Sequence, residues 1–204
     1  MLPGIVLAAG DSVRMGSPKA LLPTPDGRVF VTRIVHTLHE AGIVEVVVVS
    51  GRDHEALVEI LSENVAVPPL VARNTDSSRG QLSSLWVGMD AVLRPDTDAI
   101  LVTLVDVPMV AVSTVTRVID AWRSTRAPIV RPAIGDKHGH PVIFDCAVLG
   151  ELRAAPIDAG AKAVVRAHER DILNVPVEDE GCLVDIDTQD DYRHLRNTYE
   201  PRRR

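Results

Sequence analysis

Short β-branched runs alternate with helical patterns along this chain, and that alternation is what most narrows the folds open to it. "GIVLAAG" is a strand-like run that ends in glycine. In "VFVTRIVHTLHEAG", Val31, Ile34, Val35 and Leu38 recur at helical spacing and Gly42 is the stop. "IVEVVVVSG" is apolar and β-branched on both faces, the mark of a strand covered on each side. "DHEALVEILSE" follows as a helix with Asp53 at its N-cap, and "VAVPPLVA" is a weaker strand whose prolines suit an edge. "QLSSLWVGMDAVLR" reads as a helix and "DAILVTLVD" as another buried strand. Strands joined through helices in this order imply crossover connections and a mostly parallel sheet with helices on both faces.

After about residue 107 the pattern loosens. "STVTRVIDAWRS" and "AGAKAVVRAHE" are helices, "APIVRPA" and "DILNVPV" are strands, and "GDKHGHPVIFD" is a glycine-rich loop running into a strand. "CLVDID" is expected to be one more short strand before a last helix near "QDDYRHLRN". No repeat or linker interrupts this, so the second half extends the same sheet. The fold class is α/β, a three-layer, mostly parallel Rossmann-like sheet. In such sheets ligands lie beyond the carboxyl ends of the strands, here the loops at 10–19, 50–54, 73–80 and 106–110.

Composition excludes several function classes. Aromatic residues are 3% of the 204, too few for a stacking platform on single-stranded nucleic acid. A net charge of −6 gives no pull towards nucleic acid or an anionic membrane, so a negative ligand must be met by local cations or a metal. The terminal "PRRR" reads as a frayed tail. Cys146 and Cys182 form no CxxC pair and are expected to be reduced core thiols. The N-terminal stretch lacks a signal-peptide pattern and no run approaches 18 apolar residues, so a cytoplasmic protein is expected.

One loop carries most of the chemistry. "LAAGDSVRMGSPKALL" places Arg14 and Lys19 in a glycine loop directly after the first strand. The spacing from Gly10 to Gly16 fits neither GxxxxGK[ST] nor GxGxxG. What remains is a loop with free backbone N–H groups and two cations that either converge on one anion or stay solvated in a surface turn. Asp106, at the end of an apolar strand and before Val107-Pro108, either caps the next turn or faces the crevice as a ligand for hard Mg²⁺. No His/Cys set has zinc-ligand spacing.

The same sixteen residues resemble, without a gap, the LA(A/G)GxSxRMGxPKxLL signature of the MobA/MocA-like nucleotidyltransferases. "NTDSSRGQLSSLWVGM" resembles the family's nucleotide-reading segment, "LVDVPMV" its strand-end DxP metal motif and "GHPVIF" its acceptor-side GHP segment. "DIDTQDDY" resembles D-I-D-T-P-E-D, with Gln189 in place of the usual proline. Together these cover residues 3 to 195. The resemblance implies a single nucleotidyltransferase domain of the nucleotide-diphospho-sugar transferase type. Its nucleotide-binding half is about 1–110, its acceptor-binding half about 111–198, and 199–204 a flexible tail.

On that resemblance Arg14, Lys19 and Asp106 are catalytic, and Asp106 and Asp187 hold Mg²⁺, with Asp185 in reserve. Leu7, Ala8, Ala9, Gly10, Arg14, Lys19, Ser50, Asn74, Gly80 and Ser84 take the nucleotide, and Gly139, His140 and Pro141 the acceptor. His140 is also open to a purely structural reading as a hydrogen-bonder. The expected reaction moves CMP from CTP to a phosphorylated acceptor, molybdopterin first among them, with a client molybdoenzyme as a further partner. Ala8-Ala9 before Gly10 favours CTP over GTP, since guanylyl-transferring relatives usually read LAGG there. Other nucleotidyl transfers, to a sugar phosphate for example, stand as the alternative within the class. An NAD(P)H-dependent oxidoreductase on the same fold, or a non-catalytic carrier of the finished cofactor, stands outside it.

Overall fold

A computed structural model of the chain describes residues 1–10 and 15–199. The first strands and helices follow the sequence pattern: β1 (Gly4–Ala8), α1 (Phe30–Glu40), β2 (Val46–Ser50), α2 (His54–Asn64), β3 (Leu70–Arg73), α3 (Gln81–Val92) and β4 (Ala99–Leu104). The second half comprises α4 (Val112–Thr125), β5 (Ile129–Ile134), β6 (Lys137–His138), β7 (Val142–Asp145), α5 (Cys146–Ala154), α6 (Lys162–Ala167), β8 (Ile172–Pro176) and α7 (Gln189–Tyr199).

The strands form one sheet in the order β3-β2-β1-β4-β7-β5-β6, with β8 also paired to β5. β3, β2, β1 and β4 run parallel. β7 is antiparallel to both its neighbours, β4 and β5, while β8 runs parallel to β5. The fold is therefore α/β, three-layered and mostly parallel. Each face carries its own core. Phe30, Ile34, Leu57, Val115 and Trp122 pack under α1, α2 and α4 on one side, and Leu85, Met89, Leu149 and Val164 pack under α3, α5 and α6 on the other. Burying one such side chain contributes about 1.5–3 kcal/mol, so each face anchors its helices firmly. Gly88 lets α3 sit close on β1, since a Cβ there would lie 2.6 Å from the Ile5 side chain.

The prolines place β3 at the sheet edge, where Leu70 is exposed. Gly42 sits at φ +90° just past α1, the left-handed stop its position suggested. Several points refine the expectations. "CLVDID" is no strand: Glu180–Cys182 is a 3₁₀ turn, because the chain there wedges between two loops instead of joining the sheet. α5 follows β7 without a break, capped by the Asp145 side chain, which accepts from the Ala147 N–H. Asp53 stands at the N-cap of α2 but its side chain makes no capping bond. Cys146, at the start of α5, is exposed, whereas Cys182 is buried; both are free thiols. Tyr199, assigned to the tail, ends α7, and 200–204 lie outside the described residues. Among the described residues no helix is long and apolar enough to cross a membrane.

Candidate active site

A crevice of about 250 Å³ opens at the carboxyl ends of β1 and β4. Leu7, Ala9 and Gly10 form one wall, Gly80, Gln81 and Ser84 the facing wall, and Lys19 and Asp106 its polar end. Ala8 packs towards one core and Ala9 is buried in the other, so the strand end is held rigidly from both faces. Gly51 adds to that hold: a Cβ there would meet the Ala9 carbonyl oxygen at 2.8 Å. Arg14 lies outside the described residues.

Lys19 begins a 3₁₀ turn (Lys19–Leu21) and turns its ammonium onto carboxylates. Its Nζ is 2.5 Å from Asp187 Oδ1 and 3.6 Å from Asp106 Oδ2. The Lys19 side chain is 12% exposed and that of Asp106 24%, so the pair is partly shielded from water. Burial pushes the Asp106 carboxyl above its ordinary range; Lys19 opposes this, and Asp185 and Asp187 add to it. Asp185 is likewise raised, first by burial and then by Asp187. Asp106 Oδ1 is buried with no hydrogen-bond partner. A buried carboxylate oxygen left bare is costly unless a cation takes it, so this donor set fits a divalent ion. Among the described residues no three His, Cys, Asp or Glu side chains form a closed metal cage.

The acids are positioned by a strap that no sequence pattern announces. Asp179 Oδ2 accepts from the Ala111 N–H and the Thr114 hydroxyl at the start of α4, each at 2.8 Å. The next residues fit only as glycine or small backbone. A Cβ on Gly181 would fall 2.3 Å from the Met109 carbonyl oxygen, and one on Gly139 would fall 2.2 Å from that of Cys182. The Cys182 carbonyl accepts from the His140 N–H at 2.9 Å, and the Asp106 carbonyl accepts from the Ile186 N–H at 2.8 Å. Asp185 and Asp187 are thus stitched to the loop of Asp106. Asp191 Oδ2 completes the turn by accepting from the N–H groups of Asp187 and Thr188. Gln189 donates to the Met15 carbonyl at 2.6 Å, a bond that the proline usual at this position cannot make.

On the facing wall Asn74 is buried and donates to Ser83 and Ser84 at 2.9 and 3.0 Å, while its Oδ1 accepts from the Asp76 N–H. It ties the 74–80 loop to the first turn of α3. Gly80, at φ +95°, makes the sharp entry into that helix. Ser50 is fully buried, its hydroxyl shared between His54 and the Ala72 carbonyl, so it lies behind the crevice and braces the loop.

A larger pocket of about 610 Å³ adjoins the crevice and shares Leu7, Gly80, Gln81 and Leu104 with it. Its floor is apolar, with Leu85, Val102, Val142 and Phe144, and Arg79, Arg131 and Lys162 reach it from three different segments. Gly139 and His140 line it; Pro141, joined to His140 by a cis peptide, does not. His140 Nδ1 is buried without a hydrogen-bond partner. Burial holds the His140 imidazole below its ordinary pKa, with the Val102 carbonyl and Asp106 opposing. The three cations were missed in the sequence because their spacing forms no motif, and only the fold brings them to one pocket.

A mostly parallel α/β sheet thus brings Lys19, Asp106 and Asp187 together at one crevice, with a second, larger pocket beside it. The chain belongs to the family of the MobA-like NTP transferase domain, whose profile matches residues 4–172. It is 32% identical over 192 residues, 91% of each chain, to the nicotine blue oxidoreductase of Paenarthrobacter nicotinovorans. It is 35% identical over 133 residues to a probable molybdenum cofactor guanylyltransferase of Rhodopirellula baltica, covering 62% of this chain and 58% of that one. Against the molybdenum cofactor cytidylyltransferase of Escherichia coli identity is 24%, over 96% and 95% of the two chains. Among solved structures, Rv0371c of Mycobacterium tuberculosis H37Rv superposes with a TM-score of 0.81 at 31% identity, over 96% and 97% of the chains. The same protein complexed with manganese gives a TM-score of 0.75 at 30% identity, over 97% and 98%.

Proposed function

We propose that the chain transfers CMP from CTP to a phosphorylated acceptor, with molybdopterin carrying molybdenum favoured, and releases pyrophosphate. The observation that carries the reading is the convergence of Lys19, Asp106 and Asp187 at the polar end of a crevice that opens into a second pocket. In this reading the nucleotide lies between Ala9-Gly10 and Gly80–Ser84, with its triphosphate towards Lys19. The acceptor enters the larger pocket, where Arg79, Arg131 and Lys162 neutralise its charge and the apolar floor takes its ring body.

An acceptor phosphate oxygen attacks the α-phosphorus, a new P–O bond forms, and the bond to the β-phosphate oxygen breaks in line. The nucleophile is already anionic, so no side chain has to remove a proton. Lys19, and Arg14 by family resemblance, stabilise charge on the phosphoryl oxygens. Asp106 and Asp187 are the residues to hold Mg²⁺ or a similar ion, whose chemistry there is Lewis-acid neutralisation of the phosphates. The manganese complex of Rv0371c supports a divalent ion in the family.

CTP is favoured by Ala8-Ala9 before Gly10, although relatives include both guanylyl- and cytidylyltransferases. The setting is cytoplasmic, with transient delivery to a client molybdoenzyme. A second reading, an oxidoreductase, draws support from the relative of that name along 91% of the chain.

The deciding assay is pyrophosphate release with Mg²⁺ and molybdenum-loaded molybdopterin, offering CTP, GTP, ATP and UTP in turn. CTP-dependent release supports the proposal, and release with GTP alone replaces the base while keeping the reaction. Silence with all four, together with oxidation of NAD(P)H by the same preparation, transfers the protein to the second reading.

A further inference from the structure

Lys19 is required by two partners that exclude each other. Its ammonium bridges Asp187 Oδ1 at 2.5 Å and Asp106 Oδ2 at 3.6 Å, the same two side chains that suit a divalent ion. The electrostatic minimum made by Asp106, Asp185 and Asp187 is therefore already filled by a charge belonging to the chain. An ion entering that space meets the ammonium at contact distance, with like charge and only partial screening by water. A nucleotide's triphosphate needs the same ammonium. The backbone at Lys19 is fixed by its 3₁₀ turn, but the four-carbon stem can swing the charge several ångströms without moving the chain.

We propose that Lys19 is an internal counter-ion that occupies the metal position until a nucleotide draws it away. Arrival of the triphosphate moves Nζ off the two aspartates, and the carboxylate oxygens so released take the divalent ion together with the phosphates. Metal alone binds poorly, metal and nucleotide each strengthen the other's binding, and the coupling is reciprocal. The interlock offsets the repulsion among Asp106, Asp185 and Asp187 before a nucleotide arrives, and it keeps stray metal away from them. This inference rests on the nucleotidyltransferase reading above.

The test is a Mn²⁺ titration without nucleotide, following free Mn²⁺ by electron paramagnetic resonance. It compares the unaltered protein with Lys19→Met, Lys19→Gln and Lys19→Arg, and uses the second neutral variant if the first does not fold. The neutral variants are expected to bind Mn²⁺ roughly tenfold more tightly or better, whereas Lys19→Arg stays with the unaltered protein. In the unaltered protein, α,β-methylene CTP is expected to restore tight, Asp106-dependent binding.

If the neutral variants bind no more tightly while the analogue-dependent site still needs Asp106, the interlock is wrong and the transferase reading survives. If tight binding in Lys19→Met is untouched by adding Asp106→Asn, the ion sits elsewhere, and both the interlock and the proposed metal site fall.

Discussion

The two halves of the crevice are built differently. On the β1–β4 side, four parallel strands end level, and the ligand wall consists of short loops braced from behind by Ser50, Gly51 and Asn74. On the β5–β7 side, an antiparallel strand is inserted, and a wide apolar pocket is ringed by cations from α6, β5 and the 3₁₀ turn at Ser77–Arg79. The first half offers a narrow slot with one charged end, formed by Lys19 and Asp106. The second offers volume and scattered charge, which can be varied residue by residue without disturbing the slot. A family whose members carry such different names while sharing one fold is consistent with that division.

The largest effect that tests this division comes from the charged end of the narrow slot. Asp106→Asn should lower turnover by ~10²–10³ in the pyrophosphate assay while the acceptor KM barely moves; a rate near that of the unaltered protein removes Asp106 from the chemistry. Next comes the wide pocket. Arg131→Ala should raise the acceptor KM by about tenfold and leave the nucleotide KM unchanged, the cost of one charge-assisted contact. An equal rise in both constants erases the distinction between the halves.

The smallest effect is on stability, in the variant already made for activity. Burial lifts the folded-state pKa of Asp106 above its unfolded value, so its stabilising contribution is present at low pH and is lost as pH rises through the folded pKa. At pH 7 Asp106→Asn should therefore raise Tm by roughly 2–4 °C, about 1 kcal/mol for a chain of this size. The gain should vanish below the ordinary carboxylate range. A Tm difference that does not change with pH would falsify burial as the cause.

The sequence made the first half far more legible than the second. Val46–Ser50 is buried on both faces and Gly42 stops a clean helix, so local pattern and tertiary position agree there. α5 escaped because it starts at Cys146, directly after β7, with no turn signal between them. "CLVDID" looked like a strand because its apolar alternation is real; tertiary contacts with Met109 and Gly139 set its path instead. In the site, Lys19, Asp106 and Asp187 stood out through resemblance to a known pattern. Asp179 and Asp191 were silent, and Gln189 stood out only as a replaced proline, because their partners, Ala111, the 187–188 backbone and Met15, become neighbours only in the folded chain.

The strap from Asp179 to Asp187 has a consequence for the life of the protein. During synthesis the glycine loop leaves the ribosome first, and about 160 residues follow before Asp185 and Asp187 emerge. A nascent chain therefore carries Lys19 and Asp106 well before it has Asp187, the second carboxylate that Lys19 meets in the folded protein. The charged end of the crevice is assembled only when the far end of the sequence has docked between Met109 and Gly139, so it forms late, once most of the described residues are in place.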